Sequence, residues 1–150
     1  MAYRVRQATI HDLEQLVPLF DKYRQFYGLT SDVAAAREFL SARFTHKEST
    51  VFVAHENERL VGFTQLLPSF SSLSLGRIFI LNDLFVHEQA RRKGVASTLM
   101  SAAVKFASTL GAVRLSLSTA ITNDTAQALY HSAGWKRDDQ FFVYDFAIPR

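Results

Sequence analysis

The feature that most constrains this chain is a long apolar strand that leads through a basic turn into a helix. Residues 78–86 are almost all apolar, interrupted by Asn82 and Asp83. A run of this kind is typical of a strand covered on both faces, so it predicts a central strand. A helix is predicted from Gly94 to Gly111, because glycine is favoured just past a helix. Its apolar positions recur at helical spacing: Val95, Leu99, Ala103, Phe106 and Leu110.

Two helices and a strand are predicted before residue 50. Residues 3–7 alternate in polarity like a short strand, and Thr9 to Asp12 resembles a capping box that opens a helix. Pro18 lies in that helix and is expected to kink it near residue 14 or to divide it in two. Ser31 is expected to cap the second helix.

Strands dominate the remainder, with one further helix. Hairpin strands are predicted at 51–54 and 60–66, and the serine-rich stretch 68–76 is predicted to be a mobile loop. After the helix at 94–111, a strand is predicted at 113–117, a helix from Asn123 to Ala133, and a last strand at 141–146. This order predicts one mixed α/β sheet.

Length and composition narrow the class of protein. The 150 residues, 48% of them hydrophobic, predict one domain spanning 1–150. No run reaches the ~20 apolar residues of a membrane helix, and the N-terminus lacks a secretion signal, so we expect a cytoplasmic protein without a membrane role. The absence of cysteine excludes disulfides and a catalytic thiol, and the histidine spacing predicts no metal site. A net charge of +3 does not indicate nucleic-acid binding.

The turn before the third helix is a candidate anion site. The first N–H groups of a helix have no partner within it, and the helix dipole favours an anion there. Gly94 and Ala96 would let a diphosphate approach the main chain, and Ser97 adds a hydroxyl. The three basic residues before Gly94, which are Arg91, Arg92 and Lys93, add positive charge. The alternative is an ordinary solvated turn before a helix.

Three motifs in this region resemble those of the GNAT family of N-acetyltransferases. Arg91-x-x-Gly94-x-Ala96 matches that family's [RQ]-x-x-G-x-[GA] motif, and Asp83-Leu-Phe-Val86 precedes it as in the family. Downstream, Asn123-x-x-Ala126-x-x-Leu129-Tyr130-x-x-x-Gly134-Trp135 resembles the family's second signature. The stretch around Asn82 looks closest to the branch that acetylates polyamines and histone-type tails.

The resemblance implies a fold and a cofactor. The fold would be a single, mostly antiparallel twisted sheet with helices on both faces and a central parallel strand pair splayed at the cofactor site. The cofactor would be acetyl-CoA, whose pantetheine arm would pair with main-chain groups of Leu84, Phe85 and Val86. The other cofactor-binding residues it implies are Arg91, Arg92, Lys93, Gly94, Val95, Ala96, Ser97, Asn123, Ala126 and Tyr130.

The resemblance also implies roles in catalysis. The amine would attack the acetyl group directly, and Tyr130 would protonate the departing thiolate; the alternative is that its ring only packs. Asn82 stands where related polyamine enzymes carry a glutamate, and is expected to hydrogen-bond the substrate. Asp83 would point to the opposite face of a regular strand and be structural. Tyr23 and Tyr27 are candidates for the acceptor pocket, with core packing as the alternative.

These residues indicate an N-acetyltransferase whose acceptor is a primary amine of a small molecule, polyamine-like or amino-acid-like. Two alternatives stay open: a protein or peptide amine as acceptor, and a non-catalytic module that only binds acyl-CoA. The aromatic segment 141–146 is a candidate edge strand for pairing two copies into a homodimer.

Overall fold

A five-stranded mixed sheet organises the structure, a computed structural model that describes residues 3–150. The strands lie in chain order and are β1 (Arg4–Gln7), β2 (Thr50–Glu56), β3 (Arg59–Ser71), β4 (Gly76–Val86) and β5 (Arg114–Ser116). Neighbouring strands are antiparallel except β4 and β5, which are parallel. The predicted mixed and mostly antiparallel α/β sheet is therefore confirmed.

Helices cover both faces of this sheet. They are α1 (Leu13–Phe26), α2 (Val33–His46) and α3 (Val95–Thr109), with 3-10 turns at Ile10–Asp12 and Glu88–Ala90. A fourth helix, α4 (Asp124–Ser132), follows later in the chain. On one face, α1 and α2 share a buried core with Val53 and Phe63 of the sheet. On the other face, Phe106 of α3 contacts the ring of Phe52, with centroids 5.5 Å apart. Because successive strand residues alternate between faces, the side chain of Phe52 packs against α3 and that of Val53 packs against α1 and α2.

The capping box that opens the first helix is confirmed. Thr9 accepts from the N–H of His11, and the carboxylate of Asp12 accepts from the N–H of Thr9. Arg6 donates two hydrogen bonds of 2.8 Å to the same carboxylate and lowers the pKa of Asp12. The helix α1 that follows the 3-10 turn runs without a break through Pro18.

The start of α2 differs from the prediction. Asp32, not Ser31, caps this helix, and its side chain accepts from the N–H of Ala35. The Ser31 hydroxyl instead donates to Asp21 of α1 at 2.6 Å. Asp21 also accepts from the main-chain N–H of Asp32, so these contacts with α1 fix Ser31 one residue before the cap.

The serine-rich loop predicted at 68–76 was wrong. Strands β3 and β4 continue as an antiparallel hairpin as far as the pair Ser71 and Gly76, with a turn between them. The guanidinium of Arg77 stacks 4.7 Å above the ring of Phe70. Cross-strand pairing thus outweighs the turn preference of serine and proline in this stretch.

The chain divides into two compact units, one up to Ser118 and one from Thr119 to Arg150. The first holds the sheet and α1 to α3, and the second holds α4. The predicted strand at 141–146 was wrong, because these residues have no regular structure. A strand requires a partner for its main-chain groups, and residues 119–150 contain no other strand. Within residues 3–150, no helix is long and apolar enough to cross a membrane.

Candidate active site

The first main-chain N–H groups of α3 have no carbonyl partner within the helix. Gly94, the residue that precedes the helix, has a left-handed backbone with φ of 79°, and no side chain caps the helix. The carbonyl of Gly94 accepts from the N–H of Thr98, which leaves the N–H groups of Val95, Ala96 and Ser97 without helical partners. An uncapped helix start of this kind can bind an anion.

The three predicted cations of this turn are exposed but have different surroundings. Arg91 donates from Nε to the carbonyl of Val86 at 2.8 Å, and its guanidinium lies 5.3 Å from the ring centre of Phe85. Lys93 donates to the hydroxyl of Tyr3 at 3.2 Å. Arg92 has a left-handed backbone with φ of 64°. The turn therefore carries positive charge around the open helix start.

Strands β4 and β5 are paired only over a short length. Their parallel register covers Ile78 to Ile80 on β4, opposite Arg114 to Ser116 on β5. Strand β4 then continues to Val86, paired with β3 on its other side. In the part of the chain up to Ser118, the second half of β4 thus keeps one edge unpaired with any strand, as the resemblance implied.

Alternation along β4 decides which main-chain groups face that edge. The N–H of His87 donates to the carbonyl of Val61 on β3 at 2.7 Å. Since alternate residues of an antiparallel strand direct their N–H and C=O groups to the same side, Phe85 also faces β3, while Leu84 and Val86 face the open edge. The carbonyl of Val86 already accepts from Arg91. Leu84 is therefore the residue that offers both its N–H and its C=O at the open edge of β4.

A bulge at Asn82 interrupts β4 just before this edge. Gln65 of β3 is opposite Asp83, and the next residue, Leu66, is opposite Leu81, so Asn82 is the extra residue without a partner. The side chain of Asn82 is exposed and donates to Asp83 Oδ2 at 3.3 Å. The strand is therefore not regular here, and the condition under which Asp83 would point away from Asn82 is not met.

Asp83 belongs to a polar chain that the sequence analysis missed. Its Oδ2 accepts from Gln65 Nε2 at 2.6 Å, and Gln65 Oε1 accepts from the hydroxyl of Ser49 at 2.7 Å. Gln65 is 1% exposed and Asp83 is 6% exposed. The polar Gln65 within the apolar run 60–66 was the available sequence signal. The polar chain thus runs through four side chains, from Ser49 by way of the buried Gln65 and Asp83 to the exposed Asn82.

The predicted acceptor residues Tyr23 and Tyr27 belong to an aromatic cluster. The ring of Tyr23 contacts those of Tyr27, Phe63 and Phe85 at centroid distances of 5.3, 5.7 and 6.0 Å. Phe26 contacts Tyr27 and Phe85 and, like Tyr27, is about half exposed. The cluster therefore runs from the core at Phe63 to an open surface at the end of α1.

The ring of His87, beside the turn, is held by a main-chain hydrogen bond. Its Nδ1 accepts from the N–H of Gln89, which starts the 3-10 turn. Burial, together with the positive charges of Lys22 and Arg59, lowers the pKa of His87. The neutral ring is thus favoured as an acceptor.

The second unit carries the downstream motif. Asn123 caps α4 as predicted, because its Oδ1 accepts from the N–H of Ala126 at 3.1 Å. Tyr130 lies on the same helix, half-buried, with its ring 6.1 Å from that of Trp135. Residues 3–150 contain no group of three or more histidines or carboxylates that would hold a metal ion.

Comparison with known proteins decides the family. The model of the acetyltransferase (GNAT) family matches residues 13–135. The chain belongs to this family. It is 45% identical, over 97% of both chains, to the uncharacterized N-acetyltransferase YhfO of Bacillus subtilis. A solved structure described as a probable acetyltransferase has a TM-score of 0.92 at 46% identity, with 98% of this chain and 99% of the other covered.

The GNAT chain is accordingly an N-acetyltransferase, and its cofactor is acetyl-CoA. The open start of α3 and the unpaired edge of β4 fit a ligand with a diphosphate and an amide-bearing arm. A further relative, thialysine N-epsilon-acetyltransferase of Caenorhabditis elegans, is 26% identical over 89% of this chain and 82% of its own.

Proposed function

We propose that this N-acetyltransferase transfers the acetyl group of acetyl-CoA directly onto a primary amine of a small molecule, polyamine-like or amino-acid-like. The observation that carries the proposal is the uncapped start of α3 behind a left-handed Gly94, next to a strand with an open edge. The name of the nematode relative, a thialysine acetyltransferase, supports a small amine as acceptor. A protein or peptide amine is the alternative that the assay must separate.

Cofactor binding is assigned mainly to main-chain groups. The N–H groups of residues 92–97 would hold the diphosphate, and the exposed cations would add charge around it. Leu84 would pair with the pantetheine arm through both main-chain groups, whereas the alternation along β4 favours only a side-chain role for Phe85. Three residues of the second unit are also proposed to bind the cofactor: Asn123, Ala126 and Tyr130.

Catalysis is assigned to Tyr130 and Asn82. Acetyl-CoA supplies a reactive thioester. A phenol in water is protonated at neutral pH, so the Tyr130 hydroxyl would carry the proton that the departing thiolate needs. Asn82, exposed at the bulge, would hydrogen-bond the acceptor. Tyr23 and Tyr27 would contact its apolar part through their rings.

A thiol-release assay tests this function. The protein is incubated with acetyl-CoA and a panel of polyamines, amino acids, aminoglycosides and basic peptides, and free CoA is measured. We expect release with small amines, and a kcat at least ~10-fold lower for Tyr130→Phe with nearly unchanged CoA affinity. Tyr144→Phe is the matched control, since Tyr144 is an exposed tyrosine in the same unit. Release of CoA only with peptides would reject a small-molecule acceptor. An unchanged kcat for Tyr130→Phe would reject Tyr130 as the proton donor.

A homodimer is proposed as the assembly, and a cytoplasmic location stays a prediction. Residues 141–148 carry six large apolar side chains that are 68–89% exposed: Phe141, Phe142, Val143, Tyr144, Phe146 and Ile148. The four aromatic ones alone represent roughly 600 Å², close to the ~800 Å² that each partner buries in a standard interface. Light scattering should report two chains for the native protein and one for Phe142→Asp/Phe146→Asp. A monomeric native protein would reject the dimer.

A further inference from the structure

We infer that Phe26, the last residue of α1, is a positioning residue for cofactor binding: its ring holds the guanidinium of Arg91, which ties the turn before α3 to the end of β4. The inference rests on the proposed function, because it takes the diphosphate of acetyl-CoA to lie at this turn. It gives a role in cofactor binding to a residue of α1, outside the motifs that resemble those of the family.

The turn before α3 needs contacts that hold its shape. Arg92 and Gly94 both have left-handed backbones, with φ of 64° and 79°. For Arg92, which has a Cβ, this conformation is unfavourable and persists only when the surroundings fix it. Arg91 supplies one such contact, because its Nε donates to the carbonyl of Val86 at 2.8 Å. Val86 is the last residue of β4, so this hydrogen bond joins the turn to the sheet.

The guanidinium that makes this hydrogen bond lies over two aromatic rings. Its Cζ is 5.3 Å from the ring centre of Phe85 and 5.7 Å from that of Phe26. The two ring centres are 6.5 Å apart, so the three groups form a compact triangle. A cation within about 6 Å of a ring centre is attracted to the ring, and the planar guanidinium is well suited to such contacts. The two rings therefore help to keep Arg91 at the carbonyl of Val86.

Packing accounts for one of these rings and not for the other. Phe85 is 8% exposed and belongs to the core cluster that α1 and α2 share with the sheet. Phe26 is 57% exposed, so burial in the core does not explain an aromatic residue at this position. Its contact with Arg91 does. Phe26 can also be replaced without opening the core, which makes it the residue to test.

Phe39 of α2 makes the same type of contact elsewhere in the first unit. It is 42% exposed, and the guanidinium of Arg43 lies 4.4 Å from its ring centre. Arg43 belongs to α2 and pairs with Glu48, not with a main-chain group beside the cofactor turn. Phe39 is therefore a matched control for Phe26.

Calorimetric titration of CoA tests the inference without requiring turnover. Phe26→Leu removes the ring and keeps an apolar side chain. We expect it to raise the Kd for CoA about two- to fivefold, as for the loss of one cation–aromatic contact at an exposed site. Phe26→Tyr keeps the ring and should retain the native Kd, and so should Phe39→Leu. Thermal unfolding shows that each variant is folded.

A double-mutant cycle shows whether Phe26 acts through Arg91. Arg91→Gln removes the guanidinium and should raise the Kd about tenfold or more, as for the loss of a hydrogen bond from a charged donor. In this background Phe26→Leu should change the Kd less than about twofold, since no guanidinium is left for the ring to hold. A purely structural role of Phe26 would give the same fold-change in both backgrounds.

The outcomes separate this inference from the proposed function. Equal Kd values for the native protein and Phe26→Leu, or the same fold-change with and without the Arg91 guanidinium, overturn the role of Phe26 even if amines are acetylated. So does a loss of affinity that is as large in Phe26→Tyr or in Phe39→Leu. A loss that depends on Arg91, in a protein from which no amine releases CoA, upholds the inference and rejects the proposed function.

Discussion

Replacing Gly94 by alanine would measure how closely the cofactor approaches the start of α3. A Cβ at Gly94 would meet no heavy atom of the protein within 4 Å, so the only internal cost is the left-handed backbone. For a residue with a Cβ that cost is about 1–2 kcal/mol, which corresponds to a Tm lower by roughly 2–8 °C in a chain of this size. If a diphosphate lies against this turn, the methyl group would collide with it, and the Kd for CoA should rise by ~10-fold or more.

Gly111 provides the matched control for that experiment. It follows the other end of α3, has a φ of 73°, and likewise has open space where a Cβ would lie. Gly111→Ala should therefore lower the Tm by a similar amount while leaving CoA affinity unchanged. Thermal unfolding and calorimetric titration of CoA on both variants give the comparison. Equal CoA affinities for the two variants would refute the diphosphate site at the start of α3.

Two further predictions concern stability. The hydroxyl of Ser31 and then the N–H of Asp32 lower the pKa of Asp21, so its contribution is fully present above its unfolded pKa, near 3.9, and is lost as the pH falls through the folded pKa. Asp21→Asn should thus cost about 1–3 kcal/mol of unfolding free energy at pH 7, and progressively less as the pH is lowered below the unfolded pKa. Denaturant titrations over a pH series measure this cost, and a cost that does not fall with pH would contradict the prediction. Asn123→Ala should remove about 1 kcal/mol of local stability from α4, seen as faster amide exchange in that helix and not in α3.

The fold was predictable wherever one short segment determines its own structure. The end of α3 at Gly111 and the caps at Thr9 and Asn123 depend on residues within one turn of the helix, and the structure has them as predicted. The hairpin of β3 and β4 was missed, because its serines favour a turn locally and only pairing with the opposite strand makes them extended. Ser31 was misassigned for a similar reason, since its partner Asp21 lies ten residues away.

Among the site residues, too, some could be predicted from the local sequence and others could not. Its motif residues were identifiable because main-chain N–H groups at a helix start depend on local sequence alone. The setting of Asp83 was not, because the bulge at Asn82 follows from the register in which β3 meets β4. With a regular strand, Asn82 and Asp83 would face opposite sides of the sheet. The bulge brings them into contact instead, so the buried Asp83, held by Gln65, lies beside the exposed Asn82.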